Sequence, residues 1–143
     1  MQEEQRVNSQ LIDKEKIAIV ACAGMDKVLG SVVRASAFKI VEKLRPNETV
    51  LVCIAPLVAD VKPYSELVKK NQVITIDGCA ERCATKIVVK SGAKISGRVF
   101  APQSAQKYNL KPNTASDIGP EGERLAEKIA EETALLVDKL CGK

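Results

Sequence analysis

Three short runs, KIAIVAC (16–22), TVLVCIA (49–55) and QVITIDG (72–78), are almost continuously apolar and rich in β-branched residues. A strand with one wet face alternates apolar and polar side chains, whereas a run without alternation is a strand covered on both faces. Between the runs the spacing changes. Val28, Val32, Val33, Ala37, Ile40, Val41 and Leu44 recur at a helical period that Pro46 ends. KPYSELVKKN (62–71) reads as a short helix with Pro63 in its first turn, and another helix is expected from about Cys79 to Lys90, closed by Gly92. KISGRVFAP (94–102) supplies a fourth strand and Gln103 to Gly119 a polar, turn-rich connection. A last helix from near Pro120 places Leu125, Ile129, Leu136 and Leu140 on one stripe.

Strands that alternate with helices predict an α/β fold with right-handed crossovers. The expectation is a small, single-domain Rossmann-like or flavodoxin-like three-layer fold with a mainly parallel four-stranded sheet, and 2-1-3-4 is the simplest strand order for so short a chain. A chain of 143 residues suits one domain, expected over residues 16–143, and at this size folding buries roughly 70% of the unfolded surface. It needs neither metal nor disulfide merely to hold a core. Residues 1–15 read as a polar leader, mobile or weakly helical, without the apolar segment of an export signal, and no apolar stretch approaches the ~20 residues of a membrane span. A cytoplasmic setting is expected. The net charge of +4 is spread among mixed-sign residues, and only 3% of residues are aromatic, which argues against nucleic-acid binding.

The chain has five cysteines and no histidine. Histidine acid–base chemistry is therefore excluded, and a transition-metal site must use thiolates, carboxylates or main-chain atoms. In a parallel sheet the carboxyl ends of all strands share one edge, where ligands of open α/β folds bind. Cys22 ends the first strand, Cys53 lies near the end of the second, and Cys79 follows the third. Cys83 is one helical turn beyond Cys79 if the helix starts there. Cys141, at the end of the last helix, belongs to the opposite edge. Buried cysteines also serve as small hydrophobes, which is the ordinary reading of any one of them. Four that converge favour a tetrahedral thiolate site, with zinc as the default metal and an iron–sulfur cluster as the rival.

Helix N-termini behind the first and third strands would lower the thiol pKa values there. Lys27, Arg82 and Lys86 could add to that field, though surface cations are commonly just solvated. Asp77 reads as a turn former before Gly78, or as an acceptor behind the site or an acid–base group. Gly24 and Gly78 either satisfy turn geometry or let backbone approach a ligand. No P-loop, no GxGxxG after a strand and no C-x5-R phosphatase loop is present, since Val28 stands where that arginine would be.

At Asp77-Gly78-Cys79 the sequence resembles the DGC-domain family, named for that tripeptide. Cys22-Ala23-Gly24 matches the family's first Cys-x-Gly segment, Cys53 its second cysteine, and Cys79 and Cys83 its closing Asp-Gly-Cys-x-x-x-Cys. The resemblance covers about residues 17–92 and implies a four-cysteine metal site, without a known reaction. Two positions depart from the pattern, MDKVLG after the first motif and Ala80 where proline is frequent, and both leave the thiols intact. The first functional expectation is thus a metal-binding protein with Cys22, Cys53, Cys79 and Cys83 as ligands. The alternative is a thiol-dependent redox or sulfur-transfer enzyme using Cys22 or Cys79, and behind it an interaction module without chemistry.

Overall fold

The structure, a computed structural model, describes residues 16–22 and 24–142. The leader expected over residues 1–15 lies outside them. The strands are β1 (Ile17–Ala21), β2 (Thr49–Val52), β3 (Val73–Asp77) and β4 (Gly97–Phe100). All pair in parallel in the order β2-β1-β3-β4, as the alternation of elements predicts. Helix α1 (Val28–Lys39) continues into a π-helical turn over Ile40–Leu44, which Pro46 follows. The remaining helices are α2 (Ile54–Val58), α3 (Lys62–Lys70), α4 (Cys83–Lys90), α5 (Ala101–Tyr108) and α6 (Gly119–Leu140).

The unbroken apolar runs produce two cores, one on each face of the sheet. Ile17, Ile19, Ile74 and Ile76 face α1 and α6, against Val32, Val33, Leu125 and Ile129. Ala18, Val20, Val52 and Val73 face α2, α3 and α4, against Leu57, Leu67, Ala84 and Val88. Full burial of each such Ile, Leu or Val stabilises by about 1.5–3 kcal/mol, so the two layers dominate folding. At the amino edge Arg45 clamps Asp138 through two parallel hydrogen bonds of 2.7 and 2.6 Å. This ties the end of the α1 segment to the last turn of α6 and places Cys141 at that edge.

Four boundaries differ from the sequence expectation. The second strand stops at Val52, and 54–58 turns into α2, too short for periodicity to announce. Helix α5 occupies the start of the stretch expected to be turns, and β4 is confined to Gly97–Phe100. The helix expected from Cys79 begins only at Cys83. The cause of that delay lies at the site and is described below.

At the carboxyl edge three backbones are pressed together. A Cβ added to Gly30, in the first turn of α1, would stand 2.3 Å from the Gly24 carbonyl oxygen, and one on Gly78 would stand 3.2 Å from the Gly30 nitrogen and the Leu29 carbonyl carbon. The loops after β1 and β3 therefore seat on the start of α1 because no side chains separate them. Gly30→Ala forces the Gly24 loop away and should cost about 1–3 kcal/mol, the usual penalty of overpacking. A urea melt of this variant beside the wild type checks it; an unchanged midpoint would show that the three backbones are not in contact.

Candidate metal centre

The site begins with the phase of the strands. In β1 the even positions Ala18 and Val20 face the α2–α4 layer, and Cys22 keeps that phase, packed in the same cluster as Val52, Leu57 and Ala84. Its amide donates to the Ile76 carbonyl at 2.9 Å, so the residue is still held at the end of the sheet. In β3 the corresponding phase carries Val73, Thr75 and Asp77. Asp77 is 1% exposed, and a carboxyl group buried so deeply needs hydrogen-bond donors. It finds them in α4: Ala84 N–H donates to its Oδ1 at 3.0 Å and Thr85 N–H at 3.4 Å, while the Thr85 hydroxyl donates to Oδ2. Thr75 Oγ1 lies 3.0 Å from Thr85 Oγ1 and closes the network.

Asp77 is thus the N-cap acceptor for α4, supplied from a strand rather than from the preceding residue. This explains the late helix start. Residues 79–82 form a turn in which Arg82 N–H donates to the Cys79 carbonyl at 3.0 Å, and Arg82 takes a left-handed conformation at φ 52°, ψ 50°. Its guanidinium stacks over the Phe100 ring, 4.2 Å from the centroid. Cys79 and Cys83 therefore flank a turn and do not occupy successive turns of one helix. Lys86 pairs instead with Glu81 at 3.6 Å in solvent, and Lys27 is an exposed residue ahead of α1.

Cys22 is buried, Cys79 and Cys83 are half-buried, and Cys53 is exposed at the head of α2; Cys141 is exposed. The groups whose charge acts on the Cys22 thiol are Cys83, Cys79 and Asp77, which puts the ends of β1 and β3 and the start of α4 in one electrostatic neighbourhood. Among the described residues no group of three or more Cys, Asp or Glu side chains already stands arranged around an ion position. The donor set fits a soft metal in its chemistry: thiol sulfurs at an open edge, with the Gly24 amide hydrogen-bonded to Cys22.

The expectation that helix N-termini lower the thiol pKa values fails at Cys22. Burial pushes its pKa up, the Gly24 hydrogen bond pulls it partly back, and the neighbouring acidic groups raise it further. Asp77 already accepts from two first-turn N–H groups of α4, those of Ala84 and Thr85, so these two are not available to a thiolate. Sequence reasoning missed Gly30 and the capping role of Asp77. A glycine inside the VLGSVV helical pattern was the available signal for the first; nothing in the sequence announces a cap delivered from a strand.

Two predictions follow from this geometry. Asp77→Ala removes the acceptor for two backbone N–H groups and a hydroxyl, and should destabilise the metal-free protein by about 1–3 kcal/mol in a thermal or urea melt. Stability of the metal-free protein should also fall in the alkaline range. Below the ordinary thiol pKa of about 8.5, Cys22 is protonated whether folded or not; above it the unfolded chain ionises while the folded one holds its proton, so stability is lost until the raised folded value is passed. Cys22→Ala should flatten that slope, and an equal slope in both proteins would assign it to other groups.

A family model for the DGC domain matches residues 18–133, most of the chain. No curated protein and no solved structure matches the sequence.

Proposed function

Because the chain belongs to the DGC-domain family, we propose that it binds a soft metal ion, zinc before an iron–sulfur cluster, through Cys22, Cys53, Cys79 and Cys83 at the carboxyl edge of the sheet. The observation that supports the reading is that Cys22, held at the end of β1, belongs to the apolar cluster against which Cys83, at the start of α4, packs, so that thiols from two separate strand ends meet at one edge. Family membership is consistent with metal binding and leaves the metal open, and the choice of zinc rests on the donor set. Thiolates without histidine suit zinc or iron–sulfur chemistry, whereas a hard ion would call for oxygen ligands.

The raised pKa of Cys22 bears on the redox and sulfur-transfer alternative. A nucleophilic thiol needs a stabilised thiolate, and burial works against one there. A bound cation reverses that penalty by supplying the missing positive charge, so the same burial that handicaps a nucleophile suits a ligand. All five cysteines are free thiols, which fits a reducing, cytoplasmic compartment.

Elemental analysis of the full chain purified without oxygen tests the proposal. About one equivalent of zinc per chain is expected, and a Cys79→Ser, Cys83→Ser double variant should lose it. Iron with sulfide in place of zinc would select the cluster. Equal metal content in the two proteins, or none in either, would end the reading.

A further inference from the structure

The fold gathers cations that the sequence scatters. Helices α3 and α4 both return to the amino edge of the sheet, where β1, β3 and β4 begin. Lys69 and Lys70 close α3, Lys90 closes α4, Lys94 lies in the loop to β4, and Lys16 immediately precedes β1. Two contacts bring these segments to one corner. The Asn71 side-chain amide donates to the Lys16 carbonyl at 2.8 Å, which sets the start of β1 beside the end of α3. Lys69 lies across Gly92, its Cε 3.5 Å from where a Cβ on that glycine would stand, which sets the end of α3 against the loop after α4. Lys69, Lys70, Lys90 and Lys94 are exposed and Lys16 is half-buried, and among the described residues none of the five forms an ion pair. Glu66, one turn earlier in α3, and Glu48, whose carbonyl accepts from the Ile17 N–H, border the corner without cancelling its charge.

A basic last turn is favoured by the negative end of a helix dipole, which accounts for Lys69, Lys70 and Lys90 helix by helix. It does not account for Lys16 and Lys94, which lie outside helices. We propose that this corner is a docking surface for an anionic lipid bilayer. All five residues are lysine, point charges on flexible stems; no arginine fork stands among them to grip a phosphate in two places, and no aromatic ring to stack on a base. They come from separate segments and have no fixed acidic partner, so a rigid partner would have to match their spacing, whereas fluid headgroups gather around each charge. A cluster of this size is enough for such binding, each lysine near the surface contributing about a factor of five. Val89, 56% exposed beside Lys90, adds an apolar tip that enters between headgroups. Among the described residues no helix is long and apolar enough to cross the bilayer, and the chain lies on it instead. The amino edge then faces the lipid, and the carboxyl edge with its thiols faces away from it.

Sedimentation of the full chain with vesicles tests this. Vesicles of equal parts phosphatidylcholine and phosphatidylglycerol should carry the protein down at low salt, and vesicles of phosphatidylcholine alone should not. Binding should fade as salt shortens the screening length from about 10 Å at ~0.1 M to about 3 Å at ~1 M. A Lys69→Gln, Lys94→Gln double variant should bind about twenty-five-fold more weakly, a factor of about five for each lysine. Lys107→Gln with Lys128→Gln removes the same charge from the opposite layer, beside Tyr108, and should bind as the wild type does. All of these positions are exposed, and unchanged thermal melts establish that both double variants are folded. Equal weakening in the two variants would reduce the effect to net charge and overturn the assignment of the corner. Absence of binding to the mixed vesicles at low salt would overturn it as well. Release from the vesicles by a DNA duplex or by poly-glutamate, at a charge concentration below that of the lipid, would assign the corner to that partner in place of the bilayer.

Discussion

A carboxyl group buried at the end of a strand has to be hydrogen-bonded, and the way Asp77 meets that demand organises the carboxyl edge. By accepting from Ala84, Thr85 and the Thr85 hydroxyl it fixes where α4 begins and how close it stands to β3. The distance between the end of β3 and the start of α4 then has to be spanned by residues 78–82. Gly78 meets α1 backbone to backbone, and Cys79 enters a turn instead of a helix. Cys83 becomes the first helical residue and rests against the cluster that holds Cys22. One polar contact thus sets the positions of two of the four thiols.

The same contact decides an electrostatic competition. A helix N-terminus favours a nearby anion by about 0.3–1 kcal/mol, but only through free N–H groups in its first turn. In α4 two of those groups already point at Asp77. Cys22 is left with the cost of burial and with acidic neighbours, against a single hydrogen bond from the Gly24 amide. Burial prevails, and the thiol holds its proton until something more strongly positive than a helix end approaches. That balance works against Cys22 as a free nucleophile, which needs a stabilised thiolate.

Much of the architecture was legible because it depends on patterns of period two and period 3.6. The unbroken runs at 16–22, 49–55 and 72–78 identified strands covered on both faces, and the alternation of strands with helices implied parallel pairing and the observed order. Two helices were not legible. Helix α2 has only five residues, fewer than periodicity needs, and α5 starts immediately after β4 with no linker to separate them. At the site, the sequence indicated which strand ends carry cysteine but not their phase. Cys53 directly follows Val52, the last residue of β2, and stands exposed at the head of α2, whereas Cys22 stays buried. The start of α4 was misjudged for a different reason. The residues from 79 onward carry a helical pattern, and the acceptor that overrides it lies in a strand.

The turn at 79–82 shows how such an override is held. A left-handed backbone at a non-glycine residue costs Arg82 about 1–2 kcal/mol. Its guanidinium over the Phe100 ring returns about 0.5–2 kcal/mol, depending on how far the pair is shielded from water. Those terms nearly cancel, so the stacking by itself would leave the turn indifferent between its present form and one more turn of helix. Extending the helix, however, would direct the Ala84 and Thr85 N–H groups to the carbonyls of residues 80 and 81 and strip Asp77 of its backbone donors while it remained buried. That penalty, about 1–3 kcal/mol for a buried acceptor left unmade, tips the balance toward the turn. The separation of Cys79 from the helix that begins at Cys83 is therefore a consequence of where a carboxyl group is buried, and it leaves the two sulfurs carried by different local structures.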